Sequence, residues 1–431
     1  MSTQAWIAVT IFVASYIAIA TDKIDRSMVA IIGATLMLAL GILDQEIAFA
    51  RIDLNVILLL AGMMIMVNII KRSGLFEWLA ISTAKATGGH PILLLIALPL
   101  ITAITSAFLD NVTTMILIAP ITLVVARTLR LNPVPLLLAE TMASNIGGTA
   151  TLVGDPPHML IGSAANLSFL DFLKHMGPIV VIILVIFVVI ANLTFGRALR
   201  KVPSHVAGLA SLSPKKAIKD SYLLWKSVVV LAIVFTLFVL HETLGMKPAT
   251  VALIGASLLL ILSQLPPRQG KMDSMGILLA EIDWSTLFFF IGMFIMVAGL
   301  RATGVIEAIA NLVMNLTRSH PLLTAMVVLW GSAFMTMILS AVPFVVATIP
   351  VIQSLAAQGV GPVEPLWWAL SLGAALGANG TFVGSAANMV VIGISTRSGH
   401  PITFTNFTKK GLPITIVSLI LASLYVWLRY F

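Results

Sequence analysis

The chain has 431 residues, 59% of them hydrophobic and only 10% charged, with a mean hydropathy of +1.07. Soluble domains carry about 25% charged residues, so this composition excludes a soluble globular protein and points to a polytopic membrane protein. The net charge of +8 sits in short loops between apolar runs, where it reads as topology and not as a nucleic-acid surface, and the lack of cysteine removes disulfides and thiolate metal sites.

The N-terminus, MSTQAW, has no basic region followed by a cleavage site, so the first apolar run is expected to be a mature span. Runs long enough to cross about 30 Å of hydrocarbon fall near 5–20, 28–43, 54–70, 178–196, 222–240, 248–264, 285–300 and 411–428. Four other stretches are apolar but interrupted. Residues 92–127 and 322–355 are broken by SAFLDNVTT and SAVPF, which predicts two re-entrant helical hairpins with polar tips. Residues 133–166 and 364–394 carry NIGGTATLVGDPPH and GANGTFVGSAAN, which predicts two spanning helices unwound at their centres. Non-helical backbone at that depth is tolerated only where it lines a cavity or is covered by protein.

These elements repeat. Residues 53–159 return in register 230 positions later: Asp53 matches Asp283, Gly62-Met63 matches Gly292-Met293, His90-Pro91 matches His320-Pro321, and Val153-Gly154 matches Val383-Gly384. VAIIGA at 29–34 pairs with VALIGA at 251–256 at a slightly shorter offset. Two interrupted halves of this kind are the sequence signature of a secondary transporter. The expected fold is therefore an all-α polytopic membrane protein of two inverted repeats, each with five spanning helices, one of them broken, plus a re-entrant hairpin. The expected division is a first repeat over 1–200, a cytoplasmic linker over 201–221 and a second repeat over 222–431. With the linker inside, only Arg51, Lys174, Lys247, Arg301, Arg318 and Arg429 of the 25 Lys and Arg residues fall outside. That bias puts both termini outside, in a multi-pass plasma (inner) membrane protein.

Ionisable side chains at membrane depth are expensive and mark pathways. Asp110 in the first tip, flanked by Asn111, Thr113 and Thr114, reads as a proton- or Na⁺-coupling carboxylate. A helix cap is the alternative, although the matched residue is the uncharged Ser340. Asp155 precedes two prolines and reads either as a cap for the half-helix that follows or as a coupling group with His158, whose match is Asn388. Glu140, matched by Leu370, is a further candidate for a proton route. Asn145, Gly147, Thr149 and Thr151 face Asn379, Thr381, Ser385 and Asn388 across the two breaks. Packing by small residues explains the glycines there but not the repeated Asn and Thr, so these positions with Ser340 form the expected substrate site. The methionines Met63, Met64, Met66, Met293 and Met296 read as helix packing. Residues 197–226 read as a solvated loop with a short amphipathic helix.

LDNVTTM (109–115) and NIGGTATLVGDPPHMLIG (145–162) resemble the arsenite permease and melanosomal P-protein branch of the ion-transporter superfamily, along nearly the whole chain. The resemblance implies two inverted repeats, often assembled as homodimers that work by an elevator-like motion, with substrate between the tips and the helix breaks. The second tip, Ser340-Ala341-Val342-Pro343, departs from the fuller polar motif of the carboxylate transporters. The function implied is proton-driven export of arsenite or antimonite, with Asp110 alternating between protonated and substrate-bound states. At neutral pH arsenite is mainly uncharged As(OH)₃, which suits an Asn, Thr and backbone site. A Na⁺/H⁺ antiporter is the near alternative. A small-anion transporter is another, for which a basic residue at the tips is expected and none is present. A partner ATPase is compatible with the resemblance and invisible in the sequence. No cofactor is called for. An intramembrane hydrolase is excluded by the lack of GxGD and HExxH motifs, and a passive scaffold has no need of two polar breaks.

Overall fold

A computed structural model describes residues 2–21, 23–199, 213–264 and 275–431. Helices begin where the sequence offers an acceptor or a proline. Asp53 accepts from the amides of Asn55 and Val56, Asp283 from Thr286, and Asp220 from Tyr222 and Leu223, while Pro91, Pro248 and Pro321 each open a first turn that needs no donor there.

The described residues form helices and no strands. The first half runs α1 (Thr3–Thr21), α2 (Arg26–Ala39), α3 (Gln45–Ala50), α4 (Leu54–Arg72), α5 (Leu75–Ala86), α6 (Pro91–Phe108), α7 (Asn111–Thr128), α8 (Val134–Gly148), α9 (Pro156–Ala165) and α10 (Phe169–Leu199). After α11 (Pro214–Ala217) the same series returns as α12 (Ser221–Leu240), α13 (Pro248–Ser263), α14 (Met275–Ala280), α15 (Trp284–Ala302) and α16 (Val305–Thr317). It continues through α17 (Pro321–Leu339), α18 (Ala341–Ala357), α19 (Glu364–Gly377), α20 (Ala386–Arg397) and α21 (Phe404–Tyr430). Nine of these described helices are long and apolar enough to cross a membrane.

Packing repeats with the elements. Helix α2 lies along α15 and α4 along α13, so each half lends one helix to the other. The approach is close because glycine faces backbone: a β-carbon on Gly62 would sit 2.9 Å from the Ala252 carbonyl carbon, and one on Gly292 would sit 2.6 Å from that of Ala30. Small residues give membrane helices the contact that lipid cannot provide by a hydrophobic drive. The methionines pack as expected: Met66 covers Gly255 and Met296 covers Gly33, the two glycines of the matched VAIIGA and VALIGA segments.

The second body of the protein contains both hairpins and both broken helices. Hairpin arms α6 and α7 part at Leu109-Asp110, while α17 and α18 part at Ser340, which has φ +72°. Arms of 17 to 19 residues reach about 27 Å, close to the thickness of the hydrocarbon, so these hairpins are deeper than a half-way re-entrant loop. Helix α8 lies on α6 and α19 on α17, and the breaks cross, with α20 against α7 and α9 against α18.

Of the expected linker, residues 201–212 lie outside the described residues, as do Arg268 and Lys271. From 213 onward the chain is docked and not a solvated loop: the Lys219 amide donates to the Ser73 carbonyl at 2.9 Å, and its ammonium pairs with Glu77 at 2.8 Å.

Candidate functional site

At the two helix breaks, residues 149–155 and 378–385, side chains bond carbonyls left free in the breaks and at the ends of the neighbouring hairpin arms. Thr151 donates to the Ala107 carbonyl at 2.5 Å, and its match Thr381 donates to the Met337 carbonyl at 2.5 Å. His158 Nδ1 bonds the Thr151 carbonyl at 3.3 Å, just as the amide of its match Asn388 donates to the Thr381 carbonyl at 3.0 Å. A carbonyl only accepts, so Nδ1 carries a hydrogen here, and the buried Nε2 has no partner. His158 thus does the structural work of an asparagine.

Asp155 stands at the N-cap of α9, as Ser385 does for α20. Ser385 caps in the ordinary way, accepting from the Ala387 amide at 3.2 Å. Asp155 makes no side-chain capping bond: Pro156 and Pro157 supply no N–H at the first two positions, and the His158 amide donates to the Asp155 backbone carbonyl at 2.9 Å. Its carboxylate instead accepts from the side-chain amide of Asn111 at 3.3 Å. Asp110 does cap, accepting from the Thr113 amide at 2.8 Å, yet it also faces the cavity described next.

That cavity, of about 370 Å³, has Asp110, Asn111, Asp155, Ser340 and Ser385 along its polar side. Leu60, Met64, Phe289 and Phe290 make an apolar wall, and Arg26, Lys71, Glu281 and Asp283 complete it toward the exposed ends of α2, α4 and α15. Neither Asp110 nor Asp155 is ion-paired among the described residues. Arg26 is held on the cavity wall, donating to Thr286 at 2.9 Å and lying over the Phe289 ring.

Of the residues expected at the site from sequence, Asp110, Asn111, Thr113, Asp155, Ser340 and Ser385 line this cavity. Thr114, Asn145, Gly147, Thr149, Thr151, His158, Asn379, Thr381 and Asn388 do not; most of them build its support. Asn145 is the hub of that support. It accepts from Asn111 at 3.2 Å and donates to Asn379 at 2.8 Å and to Asn388 at 3.0 Å, while Asn379 donates to the Met142 carbonyl at 3.2 Å. Gly147 serves contact, since a β-carbon there would lie 2.1 Å from the Ala103 carbonyl oxygen. Thr149 bonds back to the carbonyl of Asn145 at 2.8 Å.

Sequence reading missed Arg26, Lys71, Glu281, Asp283 and Thr286 as cavity residues. Asp283 was visible as a repeat match to Asp53 and Arg26 as a loop charge, and only the packing of α2 on α15 brings them to the cavity.

The halves share a frame but not a charge. Asp110, Glu140 and Asp155 in the first are matched by Ser340, Leu370 and Ser385 in the second.

A polar recess enclosed between two helix breaks, within an all-helical multi-span body, defines a membrane transporter. The comparisons with known proteins agree. Residues 16–373 match the model of the citrate transporter family (CitMHS). The chain is 42% identical over 430 residues to a 46 kDa membrane protein of Mycobacterium leprae, covering 98% of each. It is 43% identical over 431 residues to an uncharacterized transporter of Mycobacterium tuberculosis, covering 99% of each. It is 30% identical over 509 residues to the P protein of Homo sapiens, covering 99% of this chain and 60% of that protein. The fold is similar to that of the Alcanivorax borkumensis YdaH transporter, with a TM-score of 0.62 at 13% identity over 100% of this chain and 99% of the other. The chain belongs to the citrate transporter family of the ion-transporter superfamily.

Proposed function

We propose that this transporter is a proton-coupled exporter of a small, uncharged, hydroxyl-bearing solute, with arsenite and antimonite as the passengers to test first. The observation that carries this reading is a pair of carboxylates, the buried Asp155 and the partly exposed Asp110, that share one cavity with no ion-paired basic partner among the described residues. Two unpaired acids in a low-dielectric recess cannot both hold charge cheaply, so a proton or another cation is their natural third party. The remaining polar groups near them, Asn111, Ser340 and Ser385, are neutral donors and acceptors that suit a hydroxylated neutral solute. A free tricarboxylate anion, as the family's description would suggest, meets Asp110 and Asp155 at the tips, while the cations of the cavity, Arg26 and Lys71, stand toward its exposed end.

A second reading uses the same pair for Na⁺ in exchange for protons. It is favoured by the number of oxygens that converge on the cavity without a bulky passenger. Everted membrane vesicles energised by a proton gradient separate the readings when As(III), Sb(III), Na⁺ and citrate are offered in turn. Metalloid accumulation that collapses with an uncoupler and disappears in Asp110→Asn supports proton-coupled efflux. Proton release evoked by Na⁺ alone moves the assignment to a cation antiporter. Normal gradient-driven efflux in Asp110→Asn removes the carboxylate from the coupling step.

A further inference from the structure

A fully buried carboxyl group in the protein interior takes no part in the cavity. Glu140, near the middle of α8, is 0% exposed. Thr122 of α7 donates to its Oε1 at 2.6 Å, and its Oε2 has no partner. The rest of its surroundings is apolar: Met115, Ala119 and Leu137, with Ala387 and Val391 of α20, form a compact cluster at the contact of α7, α8 and α20. A bare carboxylate with one hydrogen bond and no cation is among the costliest groups to bury, and natural membrane proteins keep one only for use. Glu140 caps nothing, pairs with nothing and has no acidic counterpart in the second half, so repeat geometry does not require it.

Its position along the seam between α7 and α8 suggests the use. Starting at the cavity, α7 presents Asn111, then the fully buried Thr114 with an unpartnered hydroxyl, then Thr122 bonded to Glu140. Helix α8 answers with Ser144, one turn from Glu140, which bonds Ser106 at 3.0 Å and reaches the Asn111 carbonyl at 3.4 Å. Polar side chains therefore stand at intervals along the seam, with about two helical turns between Thr114 and Thr122, in an otherwise apolar contact. At the cavity end of this seam stand Asp110 and Asp155, with Arg26, Lys71, Glu281 and Asp283 lining the same cavity and His158 buried at the first break.

We propose that Glu140 is a proton-binding site of the transport cycle, exchanging a proton with the cavity along the Asn111, Thr114, Ser144 and Thr122 seam. The inference rests on the proton-coupled reading above, and it adds a second acid that substrate does not touch. The step is proton transfer alone: the carboxyl O–H of Glu140 breaks as a cavity carboxylate, Asp110 or Asp155, gains the proton, and the reverse step resets it.

Two measurements test it, and only one needs the passenger. In lipid nanodiscs at pH 7, infrared spectra of the purified protein should contain a protonated-carboxyl stretch that is missing in Glu140→Gln and shifted in Thr122→Val, where the donor to Oε1 is gone. In everted vesicles, Glu140→Gln should lose at least tenfold in proton-driven As(III) accumulation while As(III)/As(III) exchange persists. A variant that merely unpacked α8 would lose both activities, and Thr122→Val then reports on the site with the carboxyl left in place. The absence of the Glu140 band, or full proton-driven accumulation in Glu140→Gln, overturns the proposal. If wild-type vesicles carry no metalloid, the proposed passenger is wrong, and the infrared band still decides whether Glu140 holds a proton.

Discussion

The side-chain amide of Asn145, in the last turn of α8 before the first helix break, donates to the carboxamide oxygen of Asn379 in the second break at 2.8 Å, joining the two halves at their centre. The bond is fully buried, and the same nitrogen also serves Asn388 at 3.0 Å. Both breaks are thereby held to one another and, through Asn111, to the Asp155 carboxylate.

Asn145→Ala should therefore destabilise the protein by more than one hydrogen bond. The oxygens of Asn379 and Asn388 lose a donor with no water to replace it, and each buried polar group left unpaired costs about 1–3 kcal/mol. The check is thermal unfolding in detergent, where Asn145→Ala should melt well below wild type and Thr149→Ala, whose bond is local, much closer to it.

Pro157→Ala should weaken coupling without unfolding the chain. It restores an N–H at the second position of α9, and an aspartate at the N-cap captures such a donor for about 1 kcal/mol. The Asp155 carboxylate would then be drawn from Asn111 toward the helix. Proton-driven uptake should fall in Pro157→Ala and recover in part in Pro157→Gly/Ser385→Asp only if a cavity carboxylate is restored from the other side.

The crossing of α2 and α15 should reject any side chain at Gly292. Its β-carbon would overlap the Ala30 backbone, which cannot retreat without separating the helices. Gly292→Val should yield little folded protein by size-exclusion chromatography. Gly331 of α17 meets nothing within 4 Å, so Gly331→Ala should be neutral or slightly stabilising, because alanine favours helix by about 1 kcal/mol.

The Lys219–Glu77 pair should matter little to stability. Its side chains are 61% and 29% exposed, and pairs of that kind contribute about 0–1 kcal/mol and are weakened by salt. A double-mutant cycle with Lys219→Ala and Glu77→Ala, run at low and high salt, should return a coupling under about 1 kcal/mol that shrinks with salt.

Much of this was legible in the sequence because the duplication reads itself. The same break appears twice, so Asp110 and Ser340 mark two tips and Asn145–Asp155 and Asn379–Ser385 mark two unwound segments without any coordinates. What periodicity cannot give is the direction in which a side chain in or beside an unwound segment turns. Asn145, Asn379 and Asn388 have the chemistry of a binding site, yet they turn toward one another and carry the site from behind. Arg26 and Asp283 were hidden for the opposite reason. They sit at helix starts far apart in sequence, and an interhelical crossing, not a motif, brings them to the cavity.

The uneven distribution of buried acids bears on how such a molecule acquires direction. A duplicated frame, left to itself, would have no preference between its two ends. Here Asp110, Glu140 and Asp155 all lie in the first copy, and the second offers serine, leucine and serine at the corresponding places. The second copy keeps the frame without those three charges, so a body of two matched halves is made unequal at its centre by three residues.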